Sequence, residues 1–430
     1  MKSSRYQESL KHLARAEETI PLGSQTFSKS RTQYPVGISP LYLDRGKGAY
    51  VWDLDGNKYL DLVNGLASIT IGYGDREIES AVRKQLKKGV SLSLPGVLEA
   101  EVSELIVEMV PSAEMVRFGK NGTDATSAAI RLARAHTGRD HVAVCGYHGW
   151  QDWFIGSTTR NKGVPQSISA LTHKFEYNNI ESLKRIISEN EDKIAAVIME
   201  PMNVEFPLPG YLEEIKAITN KAGALLVFDE TITGFRFSNG GAQEYFNVIP
   251  DLSTFGKGMA NGFPLSAVVG RREIMLEMEE IFFSGTFGGE LLSLAAAKVV
   301  INKYHEFPIC ETLSEQGAAL ISLVDPLIKK YGMTDILRFS GHPSWQFLNW
   351  TGTEKFDTSV IRTFFMQEMF ERGCLILGTH NTSLAHNPKI LKKIVVAYDG
   401  ALRRLSETLQ NDSINNELKV APLIPLFKVR

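Results

Sequence analysis

Only three cysteines occur in 430 residues, Cys145, Cys310 and Cys374. Their number is odd, they lie far apart and no CxxC pair exists, which argues against a disulfide framework or a zinc site and suits a reducing compartment. Charge of one sign is not in excess either. Lys+Arg total 47 against 49 Asp+Glu, a formal net charge of −2, so neither nucleic acid nor an anionic membrane surface is an expected partner. No apolar run approaches the ~20 residues that span a bilayer. The polar opening Met1-Lys2-Ser3-Ser4-Arg5-Tyr6-Gln7 lacks the apolar stretch of a secretion signal. Internal repeats and low-complexity stretches are missing as well. A cytoplasmic globular protein is expected.

What is present fits that class: 43% hydrophobic and 22% charged residues. A chain of this length is too long for one ordinary core and predicts two or three domains. The first forty residues are polar, with one short helix around residues 4–18. Two alternating stretches flank Asp55-Gly56-Asn57 within residues 49–62 and predict a β-hairpin. Helices are predicted over 75–89 and 97–110. From about residue 113, short apolar runs (115–118, 141–145, 195–199, 224–228 and 265–269) alternate with amphipathic helices near 123–137, 180–190 and 210–222. That pattern predicts a mostly parallel sheet covered on both faces. A long helix over 291–304 is followed by a mixed region with helices at 357–372 and 387–409. The expected division is an N-terminal segment (1–64) packing with the small domain, a large domain (65–304) and a smaller C-terminal α+β domain (305–430).

Ligands of such sheets sit beyond the carboxyl ends of the strands, so polar residues just after the apolar runs carry the interest. Asp229 closes the run Leu225-Leu226-Val227-Phe228, and Lys257 stands 28 positions later between Gly256 and Gly258, in what reads as a loop over 253–258. A buried carboxylate and a glycine-flanked lysine are what pyridoxal phosphate requires: the lysine for a Schiff base, the carboxylate to keep the pyridine nitrogen protonated. Each residue taken alone favours the plainer reading, an ordinary turn lysine and a strand-end acid. Phe118-Gly119-Lys120-Asn121-Gly122-Thr123-Asp124 runs from a strand into a helix start, where free N–H groups and the dipole favour a phosphate. A plain N-capped helix explains the same residues. The match is neither GxxxxGK[ST] nor GxGxxG, which disfavours a nucleotide.

Tyr147, within Gly146-Tyr147-His148-Gly149, follows a strand and can lie flat on a planar ligand, or simply close a turn. Glu200 and Asn203, in Glu200-Pro201-Met202-Asn203, either terminate a strand or reach a cofactor's phenolic oxygen. Ser284-Gly285-Thr286-Phe287-Gly288-Gly289 opens the long helix and offers another hydroxyl to a phosphate. His342, Trp345 and His380 are candidates for lining a pocket, with ordinary packing as the competing reading.

Together these pieces resemble the class III (subgroup II) pyridoxal phosphate-dependent aminotransferases, most closely the glutamate-1-semialdehyde aminomutase-like branch. The resemblance extends from Gly23 to about Arg403. Its specific part is Leu225–Gly270, with Asp229-Glu230-Thr231-Ile232-Thr233-Gly234-Phe235-Arg236 and Pro250-Asp251-Leu252-Ser253-Thr254-Phe255-Gly256-Lys257. It implies the type I fold of these transferases and a homodimer with shared active sites. Lys257 is then the Schiff-base lysine and Asp229 the partner of the pyridine nitrogen. Gly122 and Thr123 hold the phosphate, with Thr286 reaching in from the neighbouring subunit. Tyr147 stacks on the ring, with His148, Glu200 and Asn203 beside it.

Three positions depart from the aminomutase pattern. Lys29 stands where an arginine holds the substrate carboxylate. Gly378 stands where an acidic residue precedes the Thr382-Ser383-Leu384-Ala385-His386 run, and Thr231 where an aliphatic residue packs under the ring. A point charge for a bidentate fork and a missing carboxylate change what the pocket recognises. The expected activity is therefore intermolecular: an amino acid donor, glutamate, gives its amino group to a carbonyl acceptor by ping-pong chemistry. By analogy the acceptor is a sugar-derived intermediate. Intramolecular amino transfer, a doubly wound dehydrogenase and a non-catalytic relative are the alternatives.

Overall fold

The computed structural model describes residues 5–424. Helix α1 (Gln7–Glu17) and strands β1 (Leu43–Lys47), β2 (Tyr50–Asp53) and β3 (Lys58–Asp61) come first. Helices α2 (Arg76–Leu86) and α3 (Val97–Met109) follow, then β4 (Met115–Gly119), α4 (Gly122–Thr137), β5 (His141–Cys145), β6 (Thr172–Lys174), α5 (Ile180–Glu189) and β7 (Ile194–Met199). Next are α6 (Tyr211–Lys221), β8 (Leu225–Asp229), β9 (Leu252–Phe255), β10 (Ser266–Gly270), α7 (Leu291–Glu306) and α8 (Ile309–Lys330). The chain continues with β11 (Leu337–His342), β12 (Trp345–Trp350), α9 (Thr358–Glu371), β13 (Cys374–Leu375), β14 (Thr379–Asn381) and α10 (Pro388–Gln410). Two compact units result: one from the residues up to Asp75 together with those from Thr312 on, the other from Arg76–Glu311.

The unit Arg76–Glu311 is built on a seven-stranded sheet in the order β4-β10-β9-β8-β7-β5-β6. Pairings among β6, β5, β7, β8 and β9 are all parallel. Only β10 runs antiparallel to its two neighbours. Side chains alternate between the two faces, and here both faces are dry. Val142, Val144, Ala196, Ile198, Leu225 and Val227 pack on one side with Ala125, Ala129, Leu132 and Ala133 of α4. The residues between them, Ala143, Val197, Met199, Leu226 and Phe228, pack on the other side with Leu183 and Ile186 of α5 and Leu212 and Ile215 of α6. Continuous rather than alternating hydrophobicity is the result, which is why these strands read so plainly in the sequence. The fold is α/β with a mostly parallel sheet.

One expected loop is a strand. Residues 252–255 form β9, fully buried in the middle of the sheet, and the loop begins only at Gly256. Its polar residues are satisfied internally: Ser253 meets the Ser112 hydroxyl at 3.0 Å and accepts from Gln243 Nε2 at 3.0 Å, while Thr254 donates to Asp229. Interior hydrogen bonding removes the desolvation penalty that made this stretch look exposed.

In the other unit, β1, β2 and β3 pair with β13 in one sheet, and β11, β12 and β14 form another. The β2–β3 hairpin occurs where it was expected. Its turn is closed by the Asn57 amide donating to Asp53 Oδ1 at 2.7 Å, with Gly56 at φ +80°. Leu320 and Val324 of α8, Phe364 and Phe365 of α9, and Ile394, Tyr398 and Leu402 of α10 share its core with Val51, Tyr59 and Leu60.

Candidate active site

Asp229 ends β8 with its carboxylate buried. Oδ1 accepts from the Thr231 amide (3.1 Å), the Thr231 hydroxyl (2.6 Å) and the Thr254 hydroxyl (3.2 Å). Oδ2 faces His148 Nδ1 at 2.8 Å, and the other ring nitrogen of His148 lies 3.1 Å from the Cys145 carbonyl. Burial alone would push the Asp229 carboxyl up. The hydrogen bond and charge of His148, then Thr231, outweigh burial and hold it below the usual carboxylate range. An ionised carboxylate deep in a sheet is thus kept ionised, with one oxygen saturated and the other holding a single partner. His148, expected beside the cofactor, supports Asp229 from behind.

Lys257 begins the turn after β9, three residues beyond Thr254, whose main chain pairs with Asp229. Its φ is +40°, a left-handed conformation for a side chain with a Cβ, and such strain of roughly 1–3 kcal/mol collects at functional sites. Thr231 connects this turn to the helix that starts at Gly122. A Cβ on Gly122 would lie 2.9 Å from Thr231 Cγ2, and one on Gly256 3.4 Å from the same methyl. The strand-end carboxylate, the lysine turn and the start of α4 therefore meet around one threonine.

The α4 start is both capped and open. Asp124 turns back to accept from the amides of Lys120 (3.0 Å) and Asn121 (2.8 Å), which directs its charge at its own backbone as a capping box requires. Gly149, at φ +108°, lies so close that a Cβ would stand 2.3 Å from Thr123 Oγ1. Thr123 is itself buried and accepts from the Trp150 amide at 3.3 Å. Glycine backbone at Gly122 and Gly149 lines this helix start, and an added methyl at either position would collide with Thr231 or Thr123.

Glu200 and Asn203 are brought together at the end of β7. Glu200 Oε2 accepts from the Tyr147 amide (3.1 Å) and from Asn203 Nδ2 (2.7 Å). Tyr147 is set edge-on to Phe154, their centroids 5.6 Å apart. Asn203 Oδ1 and Ser266 Oγ are among the buried polar atoms of this unit without a hydrogen-bond partner. Ser266 borders the lysine turn, since a Cβ on Gly256 would be 3.9 Å from its Cβ. Orphaned groups of this kind are open to a ligand or a water. Pyridoxal phosphate fits the set: a charged carboxylate for the ring nitrogen, a strained lysine, a glycine-bounded helix start for the phosphate and spare polar atoms near the ring.

Not every expected residue joins the cluster. Thr286 is exposed on the turn 286–289. His342 is bound to Ser344 at 2.8 Å, Trp345 is packed against Phe347, and His380 meets the Tyr398 hydroxyl at 2.5 Å, all buried in the unit containing β12. Sequence reasoning passed over Thr254 and Ser266. A buried strand with small hydroxyl residues facing a strand-end acid was the available signal for the first, and none pointed to the second.

The class-III aminotransferase family model matches residues 33–394. The 3-aminobutyryl-CoA aminotransferase of Cloacimonas acidaminovorans is 34% identical over 374 residues, 85% of this chain and 89% of that one. The glutamate-1-semialdehyde 2,1-aminomutase of Syntrophobacter fumaroxidans is also 34% identical, over 414 residues, 88% of this chain and 94% of the relative. Among solved structures, the FumI protein of Sphingopyxis sp. MTA144, in its PLP internal aldimine form, superimposes with a TM-score of 0.87 at 27% identity, covering 97% and 99% of the two chains. An omega-transaminase from Sphaerobacter thermophilus gives 0.83 at 26% identity, covering 93% and 99%.

Proposed function

From the premise that this chain belongs to the class-III aminotransferase family and is a pyridoxal phosphate-dependent transaminase, we propose that it moves an amino group between molecules, from glutamate to a separate carbonyl compound. The bound cofactor supplies an aldehyde that captures amines and a ring that stores the electron pair of a broken C–H bond. Lys257 Nζ would hold that aldehyde, and its amine would serve as the base and acid that moves the proton. Asp229 Oδ2 would hold the proton on the ring nitrogen. Gly122 and Thr123 would receive the phosphate on their free amides. Tyr147, Glu200 and Asn203 would hold the ring and its phenolic oxygen. The observation that carries the assignment is the buried Asp229 carboxylate, kept charged and left with bonding capacity next to the lysine turn.

The enzyme works as a cytoplasmic homodimer in which Thr286 completes the phosphate site of the other subunit. Three buried free cysteines support the reducing compartment. Lys29 and Gly378, in place of an arginine and an acid, support intermolecular over intramolecular transfer. An aminomutase relative as similar as the aminotransferase keeps the second reading in view. The sugar-derived carbonyl suggested by sequence likeness and the 3-oxoacyl thioester corresponding to the aminotransferase relative's name are the acceptors to try first. Mixing the holoenzyme with glutamate alone should convert its visible spectrum to that of the aminated cofactor and release one equivalent of 2-oxoglutarate. A later carbonyl acceptor should restore the original spectrum, and Lys257→Ala should do neither at a measurable rate. Efficient isomerisation of glutamate 1-semialdehyde without any external donor would overturn the intermolecular reading.

A further inference from the structure

One ion pair next to this site has no part in the chemistry above. Lys120, two residues before Gly122, reaches Glu290 with Nζ 3.2 Å from Oε2, and both side chains are largely buried, at 18% and 13% exposure. Each end of the pair belongs to a helix cap. The Lys120 amide is one of the two that Asp124 holds at the start of α4. Glu290 is the N-cap of α7, and its carboxylate accepts from the amides of Leu292 (2.6 Å) and Ser293 (3.2 Å) and from the Ser293 hydroxyl (2.6 Å). Its own amide donates to the Phe287 carbonyl in the Thr286 turn. That turn also rests on β4, since a Cβ on Gly288 would lie 3.3 Å from the Phe118 carbonyl.

We propose that Lys120 and Glu290 are positioning residues: their ion pair fixes the Thr286 turn to the start of α4 and so sets the phosphate cradle for the cofactor. The proposal rests on reading the start of α4 as that cradle. A helix N-terminus binds a dianion well only when its amides hold a fixed direction, and the Lys120 side chain ties the segment from Phe118 to Asn121 that orients them to the α7 cap. Glu290 does two jobs with one carboxylate. It caps α7, a task that a shorter acid performs equally well, and it spans the gap to Lys120, which a shorter acid does not reach. The two functions can therefore be separated by one methylene.

Apoprotein of the wild type, Glu290→Asp, Lys120→Met, Lys120→Arg and the double variant Glu290→Asp/Lys120→Met should be titrated with pyridoxal phosphate by equilibrium dialysis, with thermal unfolding of each apo form alongside. Glu290→Asp and Lys120→Met should each weaken binding about fivefold, the double variant should be no worse than either single one, and Lys120→Arg should bind like wild type. The unfolding midpoint of Glu290→Asp should stay at the wild-type value. Wild-type affinity in Glu290→Asp, or additive losses in the double variant, would overturn the pair as a positioning device. If Glu290→Asp does not fold, the contrast between Lys120→Met and Lys120→Arg decides by itself, equal affinities counting against the proposal. Wild-type apoprotein without saturable binding would instead remove the cradle reading on which it stands.

Discussion

Asp229 and Glu230 are neighbours in the chain, both buried, and their environments drive them apart. Asp229 stays below the normal carboxylate range through His148 and Thr231, whereas burial pushes the Glu230 carboxyl up although it accepts from Thr233, Ala242 and Gln243. A carboxylate that gathers two main-chain amides from the turn at Gly241 is a structural cap, while one that faces an imidazole and keeps a free lone pair is poised for a cation. His380 shows the same physics with the opposite charge. Burial, with some repulsion from His386, pulls its imidazole down to about 4, from an ordinary 6.5. The unfolded chain thus takes up a proton below about pH 6.5 that the folded chain refuses until about pH 4. Stability should fall across that window by on the order of 3 kcal/mol. Replacing His380 with Gln should flatten that part of the stability curve, measured as urea midpoints between pH 7 and 4.5. An unchanged slope would assign the acid sensitivity to other groups.

At the scale of elements, the cradle depends on how closely two segments approach. Gly149 combines φ +108° with a would-be Cβ only 2.3 Å from Thr123 Oγ1, so Gly149→Ala must displace the first turn of α4. Cofactor affinity should fall at least tenfold while the global unfolding free energy drops by only about 1–3 kcal/mol, as read by cofactor titration and denaturant melts of the same variant. The buried strands were legible in the sequence because both of their faces are apolar, and the acids and lysine proposed for the site drew notice because they stand just past those strands. β9 and α8 are among the elements that were not legible. β9 carries Ser253 and Thr254, whose hydroxyls are bonded inside the sheet, so hydropathy misjudged it. In α8, Gly317 and Pro326 look like helix breakers. Yet Gly317 is there because its Cβ would lie 1.8 Å from the Pro343 carbonyl, a tertiary contact that no local pattern encodes. The Lys120–Glu290 pair was equally hidden, since it joins residues 170 positions apart.

For the molecule as a whole, exposed apolar side chains are the feature that a single chain leaves unexplained. Leu92, Leu94 and Val97 are 57%, 79% and 75% exposed, and Phe282 and Phe287 are 81% and 60% exposed. The first segment abuts the start of α7, a few residues past Phe287, because the Leu291 amide donates to the Val90 carbonyl at 2.9 Å and a Cβ on Gly96 would lie 2.4 Å from Leu291 Cδ2. Large apolar groups grouped in this way mark an interaction surface, and the proposed homodimer would bury them together with the Thr286 turn between them. Introducing Leu94→Glu with Phe282→Glu places two charges where the partner would exclude water. Sedimentation at micromolar concentration should then report monomers, and, if the proposed shared site holds, pyridoxal phosphate should be lost on dialysis because each phosphate site would lack the second subunit's hydroxyl. Thr286→Ala should weaken cofactor binding without dissociating the dimer. A double glutamate variant that remains dimeric and keeps its cofactor would locate the subunit contact elsewhere on the surface.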